Sequence, residues 1–90
     1  MFLVQGVHYP DAQKEPALIA AMHTFGERLR TQPGVFFVDV FKNDKNGTLL
    51  SMAIWESRQA FEAGWSALAP HIPSQEWEVR PREMFMMDSV

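Results

Sequence analysis

The chain contains no cysteine. That one absence excludes disulfides, thiolate metal sites and a cysteine nucleophile together, and it is compatible with a reducing cytoplasm. Positive charge is sparse. Eight Lys and Arg stand against eleven Asp and Glu, and no basic cluster supplies the phosphate-binding footprint of a nucleic-acid partner. The five glycines are scattered, so no phosphate-cradling loop is present. The three histidines are far apart and no pair has metal-ligand spacing, so no metal is expected. No segment approaches the ~20 apolar residues of a membrane span. The opening "MFLVQGVHYP" lacks a basic flank and is broken by Gln5, Gly6 and His8, so it reads as a strand and not as a signal peptide. The expectation is a cytoplasmic protein with no membrane partner.

What is present is apolar surface. Ninety residues make one domain, 1–90, and 47% of them are hydrophobic, with seven Phe. A domain this small buries roughly 60–65% of its unfolded surface, so little of that apolar area is spare.

Residues Phe2 to Tyr9 read as a first strand, stopped by Pro10-Asp11. Pro16 suits the first turn of a helix, and Leu18, Met22, Phe25 and Leu29, with Ile19 and Gly26, form its apolar stripe. Pro33-Gly34 ends that helix near Thr31. "GVFFVDVFKN" is a second strand and "TLLSMAIWE" a third, joined by a loop in which Asn46-Gly47 is a strong hairpin signal. With those as the turn residues, Phe41 faces Met52 and Asp39 faces Ile54; a longer loop including Asn43-Asp44 shifts that register. Ser57 is an N-cap for a second helix whose inward face is Ala60, Phe61, Gly64, Trp65 and Leu68. Trp77 to Met87 reads as a last strand, and Pro81 within it calls for an edge or a bulge.

The order β-α-β-β-α-β with right-handed crossovers gives an α+β, ferredoxin-like fold: a four-stranded antiparallel sheet with two helices on one face. Strand two is apolar on both faces, Val35, Phe37 and Phe41 against Phe36, Val38 and Val40. A half-solvated strand alternates apolar with polar, and an uncovered face of this kind would be a patch of several hundred Å². The expectation is a homodimer through the sheet face. The alternative cover is the tail Met84 to Val90, which is short for four strands.

The segment from Gln32-Pro33-Gly34 through "VFFVDVFKNDKNGTLLSMAIWESRQAFEAGW" resembles the antibiotic biosynthesis monooxygenase superfamily, the dimeric α+β-barrel proteins. The matching features are Pro33-Gly34, the corner Trp55-Glu56-Ser57 and the pair Ala60-Phe61. The resemblance implies a cavity between sheet and helices in each protomer. It also implies oxygenase chemistry on phenols or quinols without metal or flavin, or haem degradation. Haem-degrading relatives use an Asn on strand one, a Trp on helix two and a later His as iron ligand. Here Trp65 matches the Trp, strand one carries Gln5, and His71 follows Trp65 by only six residues between prolines, which argues against haem.

His71, in a loop near the expected cavity mouth, is a candidate general base or simply an exposed loop histidine. Trp65 and Phe61 face the sheet, as pocket walls for a flat aromatic molecule or as core. Asp39 interrupts an apolar strand face and needs a partner. It either shares a proton with Glu56 and borders a substrate, or pairs with Arg80 or Arg82. Arg80 and Arg82 fall on one side of the last strand, where Arg80 is a candidate anion stabiliser. His8 and His23 show no partner in the sequence. Two functions fit: a cofactor-independent monooxygenase of a small aromatic or phenolic substrate, and a non-catalytic homodimer that binds a small ligand or serves as a stress-related accessory protein. A roomy cavity lined by aromatic residues with two or more convergent polar groups distinguishes the first from the second.

Overall fold

A computed structural model describes residues Met1–Val90. Strands β1 (Phe2–His8), β2 (Val35–Lys42), β3 (Leu49–Trp55) and β4 (Glu83–Asp88) form one sheet in the order β2-β3-β1-β4. Every pairing in it is antiparallel. Helices α1 (Glu15–Arg30) and α2 (Arg58–Leu68) follow β1 and β3, which is the ferredoxin-like order read from the sequence. Neither helix is long and apolar enough to cross a membrane.

α1 buries Leu18, Met22, Gly26 and Leu29, the stripe expected from its spacing. α2 starts where Ser57 accepts the Ala60 N–H at 3.1 Å, and it buries Phe61, Gly64 and Leu68. Between helices and sheet lies a core built on Phe2, Trp55, Phe61 and Leu68, with a second cluster of Leu18, Met22 and Leu49. Each fully buried side chain of this size contributes about 1.5–3 kcal/mol. The aromatic rings interlock: Trp55 meets Phe61 edge-on at 5.6 Å, and Phe61 meets Trp65 at 5.3 Å.

The corner after β3 is held from the start of the neighbouring strand β2. Gly34 has φ +87°, and its carbonyl accepts the Glu56 N–H at 2.6 Å. A Cβ on Gly34 would sit 2.9 Å from the Ala60 Cβ. Pro33-Gly34, Trp55-Glu56-Ser57 and Ala60-Phe61 are therefore one packed unit. Their spacing in the sequence records backbone geometry.

Four readings of the sequence need correction. The β2–β3 loop is longer than two residues: Asn43 N–H donates to the Thr48 carbonyl at 2.9 Å, and Gly47 alone in the loop has positive φ. Asn43 and Asn46 side chains accept backbone N–H groups of Lys45 and Thr48 and stabilise the wider loop. The register consequently pairs Asp39 with Met52 and Phe41 with Leu50, a two-residue shift that keeps each side chain on its face. A bulge between Val35 and Phe37 turns Val35 into the core and leaves Phe36 62% exposed, the reverse of simple alternation. The last strand is short: Gln75–Trp77 is a 3-10 turn, Glu78 makes one isolated bridge with Pro10, and the sheet resumes only at Glu83. Pro81, with no N–H to donate, lies in that gap. The tail does not fold over the open face, because β4 pairs along β1 from Glu83 to Asp88.

Candidate active site

Between the sheet and the two helices the side chains leave a cavity of about 190 Å³. α1 contributes Met22, Phe25 and Leu29, α2 contributes Phe61 and Trp65, and the sheet contributes Val4, Val38, Ala53 and Trp55. The lining is predominantly apolar, 14 of 20 residues, so the few polar groups in it carry the chemistry. Those that turn inward are His8, Ser51 and Arg82, with Asp39 at the border and Glu78 behind them.

Period-two alternation puts His8 there. Phe2, Val4, Gly6 and His8 are the buried positions of β1. The His8 side chain is only 6% exposed, and the Glu78 carboxylate 3.2 Å from Nδ1 is fully buried. That carboxylate is well satisfied. Its Oε1 accepts the Tyr9 N–H at 3.0 Å, and its Oε2 lies 2.5 Å from Arg82 Nη2. An ionised carboxylate only accepts, so with Glu78 against Nδ1 the proton of a neutral His8 sits on Nδ1. His8 Nε2 is then the free base, 3.5 Å from Ser51 Oγ. Burial pushes the His8 pKa below its ordinary value near 6.5, and Arg82 acts in the same direction; the attraction of Glu78 and its hydrogen bond oppose them. At neutral pH the imidazole is uncharged and able to accept a proton.

Two residues of the lining hold buried donors without an acceptor. Arg82 Nη2 is engaged by Glu78 in the ion pair, but Arg82 Nε has no acceptor, and neither does Trp55 Nε1. Buried unpaired donors are uncommon in folded proteins. These face the need for an oxygen atom that a ligand would bring.

The segment bearing Glu78 and Arg82 is clamped to the end of β1. Asp11 N–H donates to the Trp77 carbonyl and Val79 N–H to the Tyr9 carbonyl, at 2.9 and 2.8 Å. The Tyr9 hydroxyl donates to Glu83, which holds its phenol above the usual range.

The residues singled out in the sequence are distributed as follows. Trp65 and Phe61 line the cavity. Asp39 borders it along β2, but Val38 and Val40 on either side pack into the core, so alternation carries the Asp39 side chain to the opposite face. Its Oδ1 accepts the Val40 N–H at 2.8 Å; it forms no ion pair with Arg80 or Arg82, and the register puts Met52, not Ile54, opposite it. Arg80 is exposed, with its guanidinium 4.2 Å over the Tyr9 ring, and it lies outside β4 and outside the cavity lining. His71 is exposed in the 3-10 turn Ala69–His71 and is likewise absent from the lining. The structure thus brings together Trp65, Phe61 and Arg82, and it adds His8, Ser51 and Glu78.

Those three were missed, though signals existed for two of them. His8 continues the phase of Phe2 and Val4, so a titratable group occupied a buried position. Ser51 interrupts the inner-face series Leu49, Ala53, Trp55. Glu78 has no such signal: regular strand alternation only places it on one face with Arg82, and it is the irregular segment that brings both to His8.

The fold is a ferredoxin-like α+β superfold with many unrelated uses, here carrying a partly open apolar cavity and a histidine–carboxylate pair on its inner sheet face. This chain belongs to the antibiotic biosynthesis monooxygenase family, whose sequence profile matches residues 1–68, and the family consists generally of cofactor-independent monooxygenases. Solved structures with the same fold include Rv0793 from Mycobacterium tuberculosis, 17% identical, with a TM-score of 0.81 over 99% of this chain and 94% of that one. A variant of SnoaB, a cofactor-independent oxygenase from Streptomyces nogalater, is 16% identical, with a TM-score of 0.75 over 98% and 90%. PA3566 from Pseudomonas aeruginosa is 10% identical, with a TM-score of 0.79 over 99% and 93%. No curated protein matches the sequence.

Proposed function

We propose that the protein is a cofactor-independent monooxygenase of a small phenol or quinol, with His8 as the base. The observation that carries this is the buried His8–Glu78 pair opening onto an apolar cavity that also holds the unpartnered Nε–H of Arg82. His8 Nε2 takes the phenolic proton, and Arg82 stabilises the phenolate oxygen. The electron-rich ring carbon ortho or para to it then reacts with dioxygen. One oxygen atom stays on that carbon and the other leaves as water, so a phenol carrying a ring C–H becomes a quinone. The protein supplies desolvation, orientation and a fixed positive charge. Trp65 and Phe61 serve as walls against the flat substrate.

The cavity sets the size. A 150 Å³ apolar cavity accommodates benzene, and ~300 Å³ is the lower end for drug-sized ligands. At about 190 Å³ the site suits one ring or two fused rings. The test is oxygen uptake by the purified protein against mono- and bicyclic phenols, quinols and larger anthrones, with and without added haem. Uptake with the smaller compounds and indifference to haem are expected. Uptake confined to the larger ones, or dependence on haem, overturns the reading.

The partner we infer is a second copy. The sheet face away from the helices carries Phe37 and Phe41 stacked at 6.4 Å, and Phe85 and Met87 on the other edge strand. All four are at least 40% exposed. A twofold partner covers such a face with its own equivalent.

A further inference from the structure

Ser51, His8 and Glu78 lie in a chain: Ser51 Oγ is 3.5 Å from His8 Nε2, and His8 Nδ1 is 3.2 Å from Glu78 Oε2. We propose that this chain is a nucleophile, base and orienting carboxylate, and that the cavity also hydrolyses small aryl esters through an acyl-serine on Ser51. Oxygenation of a phenol does not call for a hydroxyl nucleophile beside the base, so the Ser51 contact is unexplained by the reading above.

Three features argue for it. First, the tautomer is the one required. Glu78 only accepts, which puts the proton on Nδ1 and leaves Nε2 to accept the Ser51 hydroxyl proton. The 3.5 Å separation is loose, as such contacts often are before substrate binds. Second, the backbone makes room for the convergence. Gly6 lies between Ser51 and Met84 in the sheet register, and a Cβ on it would stand 2.5 Å from Ser51 Oγ and 3.0 Å from His8 Nε2. Any residue but glycine there would displace the pair. Third, an oxyanion has a place to go: Arg82 lines the same cavity with its buried Nε–H unpartnered.

The reaction balances without dioxygen. Ser51 Oγ attacks the ester carbonyl carbon as its proton passes to His8 Nε2. The tetrahedral oxyanion is met by Arg82. Collapse breaks the bond to the aryl oxygen, which leaves with the proton from His8. Water then attacks the acyl-serine, giving its proton to His8, and the carboxylic acid departs as Ser51 regains its hydrogen. The products are a phenol and a carboxylic acid. The phenol is of the class that the oxygenase reading takes as substrate, although this proposal does not depend on that reading.

The experiment uses the 90-residue chain under anaerobic conditions, where oxygenation cannot contribute. Phenyl and naphthyl acetates are followed by phenol release, and phenylmethylsulfonyl fluoride labelling is followed by intact mass and peptide mapping. Expected are one sulfonyl adduct per chain, on Ser51, and hydrolysis that falls about 100-fold in Ser51→Ala and in His8→Gln. An adduct on another residue, no adduct, or hydrolysis retained in Ser51→Ala overturns the proposal. A Ser51→Cys variant guards against misfolding of the alanine variant, because its thiol is the only one in the chain. Its alkylation by iodoacetamide at neutral pH should be about tenfold faster than in Ser51→Cys combined with His8→Gln. Equal rates contradict a base at His8 Nε2.

Discussion

His8 shows how little of a residue's role lies in its identity and how much in its surroundings. Exposed, it would titrate near 6.5; buried in an apolar cavity it is pushed lower, although Glu78 beside it pulls the other way. The acid limb of kcat/KM should accordingly lie below pH 6.5, because the base form persists to lower pH than in a free histidine. Arg82→Gln removes a neighbouring cation that lowers the His8 pKa, so that limb should move to higher pH, while kcat falls about 100-fold from loss of the anion site. A pH–rate profile of both proteins checks this; an unmoved limb would mean that Arg82 does not sense His8. Stability follows the same linkage. A depressed histidine makes the unfolded chain bind more protons between the two pKa values. Its contribution is therefore complete above pH 6.5 and is lost as pH falls toward the folded value. Urea midpoints across pH 4–8 should show that loss in the wild type and less of it in His8→Gln.

At the scale of elements, the family signature is a joint. Ser57 caps α2, and Gly34 presents its carbonyl to Glu56 while leaving space for Ala60. Ser57→Ala should cost about 1 kcal/mol, the usual worth of an N-cap. Gly34→Ala should cost more, since about 1–2 kcal/mol of left-handed strain adds to a Cβ clash at 2.9 Å. Thermal or urea unfolding decides the order, and equal costs would show that the joint yields.

Legibility follows the same division. The helices were readable because apolar spacing and Pro33, Gly34 and Ser57 all point one way. The β2–β3 register was not, because Asn43 and Asn46 satisfy the backbone of a wider loop as well as a tight one. The site was hardest. Trp65 and Phe61 could be placed from helix phase, but Glu78 and Arg82 reach His8 through an irregular segment docked on β1, a long-range pairing with no local pattern.

The whole molecule combines a helix-covered face that holds a partly open cavity with a bare aromatic face. Phe41→Glu, on the bare face and remote from His8, should convert the homodimer inferred here to a monomer in size-exclusion chromatography at micromolar concentration. A wild-type chain that already elutes as a monomer would remove the partner from the account. The central claim concerns the cavity, and one comparison addresses it directly: oxygen uptake with the best small phenol by wild type, His8→Gln and His71→Ala. The account predicts a loss of about 100-fold in His8→Gln and a near wild-type rate in His71→Ala. The reverse order, or no uptake by the wild type with any small phenol or quinol, would contradict it.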